Sequence, residues 1–122
     1  MTRILVCDDN PANRMLLQAM LAPMPVAPVM ATHGAEALEV MAAGGLAGAL
    51  IDIRMPVMDG EACIREWRAR EAAANAPRLR CAAVTANGDG TGPAIQAGFD
   101  RHIHKPIALD ELRAVVAWMQ GA

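Results

Sequence analysis

Apolar positions in this chain follow two rhythms that take turns. Short continuous runs predict strands over 3–7, 26–31, 46–53, 80–85 and 101–104. Stretches with apolar residues three and four apart predict helices between and after them. The first helix opens after Asn10, a capping residue, with Pro11 at its first position. Leu16, Leu17, Met20 and Leu21 form its inward face, and Pro23 and Pro25 end it. The second strand is interrupted by a proline, which suits a sheet edge. A helix over 34–43 turns Ala37, Leu38 and Met41 inward and closes at Gly44-Gly45. The third helix begins at Asp59 or Gly60, has Glu61 in its first turn, runs to about Ala74 and carries Ile64 and Trp67 inward. Residues 87–93 read as loop, so residues 94–97 form only a short helix. The last helix, 109–119, presents Leu112, Val115, Val116 and Met119 on one face.

Strands that are continuously apolar, rather than alternating, belong to a parallel sheet covered on both faces. The expected architecture is a doubly wound α/β fold of flavodoxin type, one domain over residues 1–122. Its five parallel strands run in the order 2-1-3-4-5.

Composition removes several function classes. No apolar run reaches membrane-spanning length, and the N-terminus lacks a signal-peptide layout, so a cytoplasmic location is expected. A net charge of −2 without a basic block, and only Trp67, Phe99 and Trp118 as aromatics, argue against nucleic acid as a partner. Cys7, Cys63 and Cys81 are odd in number and widely spaced. They read as small buried hydrophobes, not as a disulfide frame or a zinc site.

The stretch LIDIRMPVMDG, residues 50–60, poses the chemical question: a core strand carries a carboxylate, Asp52, near its end. Ligands of open α/β sheets bind beyond the carboxyl ends of the strands. Strand 1 ends at Asp8-Asp9, strand 3 at Asp52, strand 4 at Thr85 and strand 5 at Lys105-Pro106. Three carboxylates gathered there repel one another and push a pKa up. A divalent cation relieves the conflict, and an all-oxygen donor set suits Mg²⁺, or Mn²⁺. With Lys105 as a second positive charge, the site could carry a phosphoryl group on one carboxylate, and Asp52, between the others, is the natural nucleophile. Each residue also has a plain reading: Asp9 and Asp52 as turn residues, Thr85 as a strand former, Lys105 as a solvated strand end. Together those readings require four strand ends to place complementary groups by chance. His102 and His104 are expected to face opposite ways, with His104 structural or exposed. His33 is expected to be a solvated turn residue.

The stretch Asp52-x-x-Met55-Pro56-x-Met58-Asp59-Gly60, with Asp8-Asp9, Thr85-Ala86 and Lys105-Pro106 in order, resembles a response-regulator receiver domain over essentially the whole chain. DDNPANR and GFDRHIHKPI are similar to receivers of hybrid histidine kinases. The resemblance implies that Asp52 accepts phosphate from a histidine kinase or a histidine phosphotransfer protein, without being a turnover enzyme. It implies Mg²⁺ on Asp9, Asp52 and the Arg54 backbone carbonyl, with Asp8 acting through water. Lys105 would pair with the phosphoryl group, next to a cis Lys105–Pro106 bond. Thr85 would move toward the phosphoryl group, and the N–H groups of Arg54 and Ala86 would cradle it. His102 falls on the family's switch aromatic and brings the prospect of pH sensitivity. Arg54 and Asn87 fall on positions that tune acyl-phosphate lifetime. Asn13, Met15, Pro106 and Ile107 would form the partner surface. The 20 residues from Thr85 to Lys105 are fewer than is common in the family. The shortage falls in helix 4, where three glycines each cost about 1 kcal/mol against alanine. Helix 4 is expected to be short or disordered, which leaves a homodimer through that face undecided. Competing readings are a pseudo-receiver that only binds, a phosphatase of the haloacid-dehalogenase type, and, more weakly, a flavin carrier.

Overall fold

The computed structural model describes residues 1–55, 57–86 and 91–121. Five strands, β1 (Thr2–Cys7), β2 (Val26–Ala31), β3 (Leu46–Asp52), β4 (Arg80–Thr85) and β5 (Arg101–His104), form one parallel sheet in the order β2-β1-β3-β4-β5. The helices are α1 (Pro11–Leu21), α2 (Gly34–Ala43), α3 (Gly60–Ala74), α4 (Thr91–Ala97) and α5 (Leu109–Met119).

Alternation along each strand feeds two cores, which is why the strands look continuously apolar in sequence. Leu5 and Cys7 of β1, Ala49 and Ile51 of β3, and Cys81 and Ala83 of β4 pack with Ala37, Leu38 and Met41 of α2 and with Cys63 and Ile64 of α3. On the other face Ile4, Val6, Leu50, Ala82, Val84 and Ile103 meet Leu17 and Leu21 of α1 and the apolar stripe of α5. All three cysteines are buried in the first core as free thiols. Pro28 sits in β2, at the edge of the sheet, where the N–H it lacks is not needed by a second neighbour.

The caps follow the sequence closely. Asn10 accepts hydrogen bonds from the N–H groups of Ala12 and Asn13, and Asp59 caps α3 through Ala62. Two local expectations need correction. Leu16 does not join the inward face of α1 but is 55% exposed, because the buried stripe runs through Leu17 and Leu21. His33 is no solvated turn residue: it is the N-cap of α2, half-buried, and its Nδ1 accepts the Glu36 N–H at 3.2 Å.

Helix α4 is ordered over seven residues and starts earlier than its glycines suggested. Pro93 lies within its first turn, where an N–H has no intrahelical partner anyway. Its far end is anchored by Phe99, the chain's one phenylalanine, which is fully buried. Burying such a side chain stabilises the fold by about 1.5–3 kcal/mol.

Candidate functional site

The carboxyl ends of β1, β3, β4 and β5 open on one side of the sheet, and Asp8, Asp52, Thr85 and Lys105 stand at or just beyond them. Asp8 is buried. Its Oδ1 accepts the Asn10 N–H at 2.9 Å, and its backbone carbonyl accepts a hydrogen bond from Arg14 Nη1 at 2.8 Å. Asp9 is exposed. Asp52, 3% exposed, takes the Arg54 N–H on Oδ1 at 3.2 Å and the Lys105 ammonium on Oδ2 at 3.0 Å. The same ammonium is 4.0 Å from Asp8 Oδ2. One carboxylate oxygen from each of Asp8, Asp9 and Asp52 lies within 4.8 Å of the others.

Burial pushes the Asp52 carboxyl above the ordinary carboxylate range. The hydrogen bond from Lys105 opposes the rise, and the neighbouring Asp8 charge adds to it. Among the described residues the three acids face one ammonium, Lys105, which leaves them short of positive charge. The pocket's donors are all oxygens, the chemistry of a hard divalent cation.

Backbone packing holds Asp52 in place. A Cβ on Gly60 would collide with the Asp52 carbonyl, so the start of α3 rests directly on the strand end. The Gly60 N–H bonds the Ile53 carbonyl at 2.9 Å and completes the turn. The Asp-Gly pair at 59–60 therefore has two jobs, cap and close approach, of which only the cap was legible in sequence.

Thr85 is buried at the end of β4. Its Oγ1 lies 3.3 Å from the Ile103 carbonyl and 3.1 Å from His104 Nδ1. The Lys105 N–H bonds the Thr85 carbonyl at 2.8 Å, and the Lys105–Pro106 bond is cis. The expectation that His102 and His104 face opposite ways is wrong. Residues two apart on a strand share a face, and the two rings meet edge to face with centroids 4.9 Å apart. Sequence reading missed the Thr85–His104 contact. The available signal was the pairing of strand ends, which sets Thr85 beside His104.

Of the partner-surface residues, Asn13, Pro106 and Ile107 line a cleft of about 170 Å³ with Leu16 and Leu17, reaching Asp8 and Lys105. Met15 lies outside that lining and is 72% exposed. Arg54 is exposed and Ala86 half-buried beside the pocket. Asn87 falls outside the described residues.

The family model described as response regulator receiver domain matches residues 4–117. The chain is a response regulator receiver domain. Similar proteins agree. The sensor protein GacS of Pseudomonas syringae is 34% identical over 121 residues, covering 98% of this chain. The chain spans only 13% of that relative's length. Among solved structures, the receiver domain of sensor histidine kinase PA1611 from Pseudomonas aeruginosa, with a magnesium ion coordinated in its active site cleft, is 30% identical. It superposes with a TM-score of 0.85 over 98% of both chains. The receiver domain of Ssk1 from Saccharomyces cerevisiae, solved with the histidine phosphotransfer protein Ypd1, matches with a TM-score of 0.90. Its identity is 25%, over 99% of this chain and 92% of that one. The fold, strand order included, is thus that of receiver domains, and the phosphatase and flavin-carrier readings have no counterpart among these matches. No helix among the described residues is long and apolar enough to cross a membrane.

Proposed function

We propose that this receiver domain, taken as one unit over residues 1–122, accepts a phosphoryl group on Asp52 from a phosphohistidine. The donor would be a histidine kinase or a histidine phosphotransfer protein. The observation that carries the reading is the Asp52 carboxylate, buried yet bound to Lys105 at 3.0 Å, with Asp8 and Asp9 oxygens beside it. An Asp52 oxygen attacks phosphorus in line. The P–O bond forms as the P–N bond breaks, and the departing imidazole nitrogen takes the bonding pair and a proton. Lys105 offsets negative charge on the transferred group. The Thr85 hydroxyl and the N–H groups of Arg54 and Ala86 donate to its oxygens.

The donor chemistry of Asp8, Asp9, Asp52 and the Arg54 carbonyl fits Mg²⁺ or Mn²⁺, with Asp8 reached through water. Such an ion supplies positive charge against the phosphoryl oxygens. Thr85, reoriented toward the phosphoryl group, and His102 transmit the change, and the side chains of Arg54 and Asn87 set how long the acyl phosphate lasts. The donor docks over Asn13, Met15, Pro106 and Ile107. The domain works in the cytoplasm, turns over no substrate pool, and passes its signal on by conformation or by relaying the phosphate. Similarity to sensor kinases and to a receiver solved with a phosphotransfer protein supports this choice of donor.

Beryllofluoride, a mimic of the bound phosphoryl group, tests the reading. With Mg²⁺ it should bind the parent and lose that binding in Asp52→Asn. Equal binding by both proteins would remove Asp52 from the role.

A further inference from the structure

We propose that His104 is a positioning residue: its imidazole holds the Thr85 hydroxyl against β5, so that a phosphoryl group on Asp52 must compete for it. This role rests on the phosphoacceptor reading of Asp52.

The register of the sheet makes the contact. Thr85 and His104 are direct partners where β4 pairs with β5, each at the end of its strand. The Lys105 N–H bonds the Thr85 carbonyl at 2.8 Å, so the backbone there is tied to β5 as well. That leaves the Thr85 side chain as the part able to turn, among the few staggered wells open to a β-branched residue. Thr85 is fully buried, whereas His104 is exposed on the edge strand. The His102 ring packs edge to face against the His104 ring at 4.9 Å and buttresses it from the side.

The hydrogen bonds decide what the hydroxyl can do. It has one proton to give and lone pairs to accept with. The Ile103 carbonyl, 3.3 Å from Thr85 Oγ1, only accepts, so the proton is directed there. His104 Nδ1, 3.1 Å away, then donates its N–H to Oγ1. Both contacts are satisfied, and no hydroxyl proton is left for a phosphoryl oxygen. The other tautomer leads to the same end, because the hydroxyl would then spend its proton on Nδ1. To serve the phosphoryl group Thr85 must give up its side-chain bonds to β5. Neighbours on that strand thus act in opposite senses. The Lys105 ammonium already lies 3.0 Å from Asp52, where it draws a phosphoryl group in, while His104 keeps the hydroxyl back.

The net worth of one such hydrogen bond corresponds to a factor of about two to ten in an equilibrium. His104 weakens phosphoryl binding by that factor, and the bound phosphoryl group loosens His104 from Thr85 equally.

The test is beryllofluoride affinity, with Mg²⁺ present, in two variants of His104. A glutamine amide cannot reach the place of Nδ1, whereas an asparagine amide nitrogen falls close to it. His104→Gln should raise the affinity about two- to tenfold, and His104→Asn should stay within about twofold of the parent. In a Thr85→Val background His104→Gln should change nothing further, because the effect runs through the hydroxyl. Nitrogen NMR of the parent gives a reading free of any variant. The neutral His104 ring should carry its proton on Nδ1 in the free chain, and that signature should change when beryllofluoride binds. An affinity in His104→Gln at or below the parent's, asparagine behaving as glutamine does, an equal gain in the Thr85→Val background, or a His104 signal unmoved by beryllofluoride would overturn the role. Failure of the parent itself to bind beryllofluoride counts against the receiver reading, and the role of His104 falls with it. Binding that Asp52→Asn abolishes and His104→Gln leaves unchanged overturns the role of His104 alone.

Discussion

At the carboxyl end of the sheet Asp8, Asp9 and Asp52 gather around Lys105; at the amino end Arg68 and Arg78 face Glu71 and Asp100. The second cluster balances its charges. Arg68 spends its guanidinium on Glu71 at 2.7 Å, Asp100 at 3.0 Å and the carbonyls of Leu79 and Gly98 at 2.9 Å each. Glu71 also accepts from the Leu79 N–H and the Trp67 indole, and Asp100 from the Cys81 N–H and Arg78. That network ties α3, β4 and the entry to β5 together and asks nothing of a ligand. The first cluster keeps an excess of negative charge and one buried carboxyl pushed upward by burial. Charge that is compensated within the chain reads as architecture, and charge left uncompensated beside a cleft reads as a place for something to bind.

The largest expected effect tests the compensated end. Arg68→Met leaves Glu71 and Asp100 without their shared cation, and breaking a pair this buried costs about 3–5 kcal/mol. Urea denaturation reads the loss, and the folded fraction should still bind beryllofluoride. A loss under about 1 kcal/mol would mean the network contributes no more than a surface pair.

A smaller effect is expected from the uncompensated end. Asp9 is exposed, so Asp9→Asn should leave stability within about 0.5 kcal/mol. Mg²⁺ affinity by calorimetry should nonetheless fall roughly tenfold or more. Stability and affinity falling together would erase the contrast between the two ends.

The smallest effect concerns pH. The folded-state pKa of Asp52 is raised above its ordinary 3.8, so the folded chain binds a proton there more readily than the unfolded chain does. The resulting stability is fully present below the ordinary value and is lost as pH rises through the folded value. Without metal, the parent should therefore gain stability relative to Asp52→Asn as pH falls toward the ordinary carboxylate range. Denaturation midpoints of both proteins across that window measure it, and parallel curves would contradict it.

The two ends also differed in how legible they were. Strand ends announce themselves, because an apolar run stopping at Asp8, Asp52, Thr85 or Lys105 states both position and chemistry. The Arg68 network gave no such signal. Its members are scattered over 67–100 and meet only because α3 packs beside β4 and the turn before β5. Leu16 failed because a helix of this length has room for one buried stripe, and hydrophobicity alone did not say which leucine lies on it. His102 and His104 lie on one face because side chains two apart on a strand point the same way, so their contact follows from the strand period. The resemblance supplied the cis bond at Lys105–Pro106, which no residue pattern would have given.

The most direct test of the central claim is a mass spectrum of the intact chain after incubation with Mg²⁺ and acetyl phosphate, with Asp52→Ala alongside. A labile adduct of one phosphoryl group is expected in the parent and none in the variant. An adduct of equal yield in Asp52→Ala would contradict it.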